Sequence, residues 1–162
     1  MKYLIFSFIL FWNQSVFAQN VIDKFQAYSI NKEVSQVISL QNGKLSTVAI
    51  FLSKDCPCSK GNLDYINELS KEFPEFQFIG IHSKKNTSND EIKSYLKDKP
   101  LHFDIYNDSD LKIADLFKAL KTPHAFILNP QGEIVYNGGI TNSTFPKNAK
   151  EFFFLLWCKN HF

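Results

Sequence analysis

Thr47-Val48-Ala49-Ile50-Phe51-Leu52-Ser53-Lys54-Asp55-Cys56-Pro57-Cys58-Ser59 is the stretch from which the rest of the chain can be read. Its first six residues form a continuous apolar run rich in β-branched side chains, as expected of a strand buried on both faces and central in its sheet. Over residues 59–73 the apolar side chains of Leu63, Ile66, Leu69 and Phe73 return every three or four positions, which predicts a helix with one buried face, stopped by Pro74. The thiols of Cys56-Pro57-Cys58 therefore fall where a strand hands over to a helix. Pro57 suits the first helical position, where a missing N–H costs nothing. Cys56 then lies at the cap, its sulfur facing unpaired N–H groups whose partial positive charge favours the thiolate, the nucleophilic form of cysteine. Lys54 and Lys60 add positive charge and Asp55 opposes it, so a lowered pKa is expected for Cys56.

Working outward, residues 19–45 carry scattered apolar positions and a turn at Asn42-Gly43, and read as a lead-in with one or two short strands. A second strand is predicted over 76–81. Ser88-Asn89-Asp90-Glu91 has the capping-box form before a helix that ends by Pro100. A further strand follows over 102–106, and Asp108-Ser109-Asp110 supplies helix-start chemistry for 111–120. Thr122-Pro123 precedes an apolar strand over 125–128, and Asn129-Pro130-Gln131-Gly132 is a turn that pairs this strand with 133–136 as a hairpin. A last helix is expected over 147–158. Strands alternating with helices and then a late hairpin imply an α/β layer fold.

The chain has 162 residues, and all 18 of its basic residues are lysine against 16 acids. Residues 1–18 read as an export signal: Lys2, an apolar run from Tyr3 to Trp12, and Val16-Phe17-Ala18 at a cleavage position. Residues 19–162 suit a single domain with a net charge near +1, which offers no field for nucleic acid or, after signal cleavage, for an anionic membrane. The three cysteines, Cys56, Cys58 and Cys158, are too few and too unevenly placed for a disulfide framework, and are read as reactive thiols. An export signal places them in an oxidising compartment, periplasmic or secreted.

Three segments carry a family resemblance: Phe51-Leu52-Ser53-Lys54-Asp55-Cys56-Pro57, Lys121-Thr122-Pro123-His124-Ala125-Phe126-Ile127-Leu128, and Gly132-Glu133-Ile134-Val135-Tyr136-Asn137-Gly138-Gly139-Ile140. In this order and spacing they resemble thioredoxin-fold redoxins, close to the alkyl hydroperoxide reductase and thiol-specific antioxidant group and to periplasmic thioredoxin-like reductases. The resemblance implies an α/β thioredoxin-like fold, a central mixed sheet flanked by helices, with an extra strand-helix lead-in. It also implies that Thr122-Pro123 is the cis-proline loop beside the nucleophile, where an incoming peptide binds. Thioredoxin-type reductases carry Cys-x-x-Cys, whereas the position three after Cys56 is Ser59 and the second thiol comes one residue early, at Cys58.

The expected activity is thiol-disulfide exchange. The Cys56 thiolate forms a mixed disulfide, Cys58 is the first candidate to resolve it, and Thr122 and Pro123 bind substrate. Residues two apart within a helix point about 200° apart, so a Cys56–Cys58 bridge requires Cys56 to lie outside the helix. Cys58 buried in the core is the competing reading, and Cys158 could resolve Cys56, pair with another molecule or pack beside Trp157. Ser53-Lys54-Asp55-Cys56 also resembles the Thr-x-x-Cys of peroxiredoxins, which makes a thiol peroxidase the alternative. The chain has no arginine to steady a peroxide, and lysine lacks the planar fork. Two thiolates one residue apart could instead hold Cu(I) for delivery, and a non-catalytic binding module is the remaining reading. No organic cofactor and no metal is called for, since the histidines form no ligand pattern. The expected partners are protein thiols or disulfides, or a peroxide, and a redox partner protein.

Overall fold

A computed structural model describes residues 21–41, 43, 46–152, 155–157 and 159. The expected signal at 1–18 and Cys158 lie outside them. Seven strands form one mixed sheet in the order β2-β1-β5-β4-β3-β6-β7. Strand β3 (Thr47–Leu52) is buried at every residue and lies parallel to β4 (Gln77–His82) and antiparallel to β6 (His124–Leu128). Its alternation divides the core in two. Val48, Ile50 and Leu52 face α1 (Pro57–Glu72) and α2 (Asn89–Leu96) in a cluster with Leu63, Ile66 and Ile92. Ala49 and Phe51 face the opposite layer with Phe117 and Phe126.

The lead-in contains no helix among its described residues, which corrects the strand-helix expectation. It is a hairpin of β1 (Lys24–Ser29) and β2 (Val34–Ser39). Period-two burial explains this: Phe25 and Ala27 turn inward while Lys24 and Gln26 stay in solvent, a pattern no helix can satisfy. The hairpin joins the sheet through two residue pairs with β5 (Asp104–Asn107) and contributes Phe25, Ile38 and Leu40 to the core layer of Phe117.

Helix α2 begins as its sequence predicts, with the Ser88 hydroxyl accepting the Glu91 N–H at 3.3 Å and the Glu91 carboxylate accepting the Ser88 N–H at 2.9 Å. Helix α3 (Lys112–Phe117) departs from expectation at its end. Buried Asp108 accepts the N–H groups of Ile113 and Ala114 at 2.9 Å each, but Lys118 enters the left-handed region at φ 56° and closes the helix three residues early. Leu120 is consequently 89% exposed. The early stop lets the chain turn back toward the carboxyl end of β3.

Strand β7 (Ile134–Gly138) completes the late hairpin with β6. The helix expected over 147–158 does not start at 147. A single 3-10 turn, Pro146–Asn148, is followed by irregular chain, and helix is described only at 155–157 and 159. The Asn142 side chain accepts the Lys150 and Glu151 N–H groups at 3.0 and 3.3 Å, and the Asn142 backbone N–H donates to the Glu151 carbonyl, which holds this segment to the preceding loop rather than to a helical ladder.

Candidate functional site

Cys56 is the N-cap of α1, in extended backbone at φ −87° and ψ 116°, and Pro57 is the first helical residue. The loop that carries it is tied down at each residue. Cys56 N–H donates to the Ser53 carbonyl at 3.1 Å, Asp55 N–H to the Ser53 hydroxyl at 3.3 Å, Ser53 N–H to the buried Ser59 hydroxyl at 3.2 Å, and Lys54 N–H to His82 Nε2 at 2.9 Å. Outside this frame Asp55 is paired with Lys54 and Lys84, and Lys54 also reaches Glu91 on α2.

Opposite the sulfur stands the loop between α3 and β6. The Thr122–Pro123 peptide bond is cis, and the half-buried Cys56 thiol donates to the Thr122 carbonyl at 2.9 Å. Burial opposes ionisation of Cys56, and the bond to a carbonyl favours the thiol. Hydrogen bonding from the Thr122 side chain, from the Ser59 backbone and hydroxyl and from the Cys58 backbone outweighs both, leaving the pKa below the ordinary thiol value.

Cys58, one residue into the helix, turns elsewhere. Its half-buried thiol donates to the Thr144 hydroxyl at 3.5 Å, so it points neither into the core nor at Cys56, and both thiols are free. It lines an open cleft of about 410 Å³ together with Asn62, Lys121, Thr122, Pro123 and residues 139–144. Asn62, 1% exposed, builds this wall: its amide donates to the carbonyls of Cys58 and Thr144 at 2.9 Å each, and its oxygen accepts from Thr141 at 3.3 Å. A larger groove of about 880 Å³ runs between the lead-in hairpin and the start of β4 and holds neither thiol.

Of the four residues singled out in the sequence, Cys56 and Thr122 thus meet directly, and Cys58 and Pro123 share the adjoining cleft. Ser59, Asn62, His82, His124 and Thr144 were not identified as site residues. Ser59 could have been, because it occupies the position of the second cysteine in Cys-x-x-Cys, and Asn62 lies one helical turn after Cys58; His82, His124 and Thr144 become neighbours only through long-range packing. Among the described residues no group of three or more His, Cys, Asp or Glu is placed to hold a metal ion, and no helix is long and apolar enough to cross a membrane.

Residues 20–137 match the model of the AhpC/TSA family. No curated protein sequence matches the chain. Solved structures share its fold at low identity. A hypothetical protein of Sinorhizobium meliloti superposes with a TM-score of 0.71 at 15% identity, over 83% of this chain and 76% of the other. The thioredoxin domain of a thiol-disulfide oxidoreductase from Bacteroides vulgatus gives 0.62 at 16% identity, over 75% and 90%. A secreted disulfide oxidoreductase of Mycobacterium tuberculosis gives 0.58 at 19% identity, over 71% and 84%.

Proposed function

The chain belongs to the AhpC/TSA family, and on that premise we propose that it is an exported thiol-disulfide oxidoreductase whose nucleophile is Cys56. The observation that carries this reading is the position of the sulfur: a helix N-cap residue with a lowered pKa, half-exposed and 2.9 Å from the carbonyl that precedes Pro123. The Cys56 thiolate attacks one sulfur of a substrate disulfide, forming a mixed disulfide and releasing the other sulfur as a thiolate. Cys58, as its own thiolate, then attacks Cys56 Sγ, forming the Cys56–Cys58 disulfide and releasing the second substrate sulfur. A partner dithiol returns the pair to the reduced state. The extended backbone of Cys56, outside the helix, supports this short bridge, and leaving Thr144 is the movement Cys58 must make. Substrate lies in the cleft against Thr122 and Pro123.

Export rests on the leader at residues 1–18, with residues 19–162 as the mature single domain beginning at Gln19. The similar Mycobacterium tuberculosis oxidoreductase is itself described as secreted. Peroxidase chemistry is less well supported, because the chain contains no arginine to steady a peroxide and lysine lacks the planar fork. The experiment is insulin reduction and refolding of a scrambled disulfide substrate by the wild type and by Cys56→Ser. Activity abolished in the variant is the expected result. Wild-type protein inert in both assays but consuming hydrogen peroxide, with sulfenic acid at Cys56, would replace the exchange reading with the peroxidase one.

A further inference from the structure

Two buried histidines hold the two loops that meet at the Cys56 sulfur. His82 ends β4 and is 2% exposed; its Nε2 accepts the Lys54 N–H at 2.9 Å, within the loop that delivers Cys56. His124 opens β6 and is 4% exposed; its Nδ1 accepts the Leu120 N–H at 3.2 Å, within the loop that delivers Thr122. A neutral imidazole that accepts at one nitrogen carries its proton on the other. His82 is therefore the Nδ1–H form, with that nitrogen buried and without a hydrogen-bond partner among the described residues, and His124 is the Nε2–H form, donating to Asn137 Oδ1 at 2.6 Å. Imidazolium donates at both nitrogens, so protonating either ring sets a donor against a backbone donor. Each ring supplies the acceptor for one of the two loops that meet at the reacting sulfur.

We propose that His82 and His124 are the positioning residues of the exchange site: as neutral imidazoles of opposite tautomer they tether the 53–56 and 118–123 loops so that Cys56 meets Thr122, and protonation releases the tether. This inference rests on Cys56 as the nucleophile. The surroundings support neutral rings. Around His82, the charged groups are Lys54 and Asp55 from its partner loop and Lys84 from the chain after β4, while Ser59 and Leu63 of α1, Ile105 of β5 and Tyr95 of α2 share its small cavity. Burial, ahead of these charges, lowers its pKa. Around His124, Lys121 is the charged neighbour, Asn137 of β7 is the polar one and Phe126 packs on the ring at 4.4 Å. Burial again lowers its pKa, against the bond to Asn137. With both values below the ordinary histidine range, the tethers hold at neutral pH and fail as the pH falls through the lowered values.

The test uses the reduced full-length protein. Long-range ¹H–¹⁵N NMR at pH 7 should show two neutral histidines of opposite tautomer, assigned through His82→Gln and His124→Gln. Peptide-resolved iodoacetamide labelling of Cys56 between pH 5 and 8 is then compared among variants. His82→Phe and His124→Phe, which lack the acceptor, should label Cys56 about five- to tenfold more slowly at pH 7. The glutamine variants, which keep an acceptor that cannot be protonated, should stay within about twofold of wild type and lose the additional steepness of its acid limb. Two histidines of the same tautomer, folded phenylalanine variants labelling at the wild-type rate, or glutamine variants retaining the wild-type acid limb would each overturn the proposal. If a phenylalanine variant does not fold, the tautomers and the glutamine profiles decide. A wild-type Cys56 no faster than an unfolded thiol would instead overturn the exchange reading, and the tautomer result would remain informative about the loops.

Discussion

At the scale of single residues, the chemistry depends on how Cys56 divides its hydrogen bonds between its two protonation states. The Thr122 carbonyl can only accept, so it serves the thiol, while the Thr122 side chain, the Ser59 backbone and hydroxyl and the Cys58 backbone serve the thiolate against the opposing effect of burial. The net lowering has a definite sign for stability. The unfolded chain holds the thiol proton to higher pH than the folded one, so ionisation of Cys56 favours folding above the ordinary thiol value, and this contribution disappears as the pH falls through the lowered folded value. Urea unfolding of the reduced wild type and of Cys56→Ser at stepped pH should therefore show the wild type gaining stability over the variant as the pH rises between those two values. A difference independent of pH would mean that the sulfur titrates as in an unfolded chain. Cys56 was legible in the sequence because a strand, a proline and a helical period fix its backbone environment locally. Ser59 was half-legible, as a position where a family pattern expects cysteine.

At the scale of elements, α1 both presents the nucleophile and builds the wall of the cleft. Gly61 faces the 141–145 segment so closely that a Cβ there would stand 2.5 Å from the Thr144 carbonyl and 2.8 Å from the Phe145 ring. Gly61→Ala must therefore push that segment away from Cys58. Asn62→Ala has a related effect by another route, leaving the Thr144 and Cys58 carbonyls without their amide partner at a cost of about 1–3 kcal/mol. Both variants should lower the urea midpoint and speed alkylation of Cys58; an unchanged Cys58 rate in both would separate the cleft wall from the thiol. Helix α2 could be read from its capping box, because that motif is local. The early end of α3 could not, since Leu120 continues the helical period, yet Lys118 adopts the left-handed region and the Leu120 N–H goes to His124 Nδ1 instead of a helical carbonyl. The late start of the final helix was hidden for the same reason: the bonds that hold residues 150 and 151 come from Asn142, in a separate loop.

At the scale of the whole molecule, the two site loops sit at one end of the central strands β3 and β6, in a sheet backed by an aromatic cluster. Phe117 lies 5.3 Å from Phe51, 5.4 Å from Phe126 and 6.2 Å from Phe25 between ring centres, and so joins α3, two central strands and the lead-in hairpin. Phe117→Ala should cost about 3–5 kcal/mol, the usual range for removing a buried phenylalanine. Because α3 leads directly into the Thr122 loop, the same variant should slow exchange by Cys56 at temperatures where it remains folded. Urea unfolding and insulin reduction measure the two effects, and a loss below about 1 kcal/mol would mean that the layer repacks around the gap.

The pairing of the distant Thr122-Pro123 with Cys56 came from the family resemblance alone, whereas the chain itself specified the α/β order of elements, the buried central strand and the strand-to-helix placement of Cys56 and Pro57. These follow from periodicity, capping and turn chemistry, which act over a few residues. Tertiary packing alone settled that Cys58 faces Thr144 and that His82 and His124 accept the backbone of the site loops. These contacts depend on where the elements end and how the strands are ordered: Lys54 and His82 are 28 positions apart and Cys58 and Thr144 are 86, while His124, only four positions from Leu120, meets its N–H where α3 has ended and β6 begins.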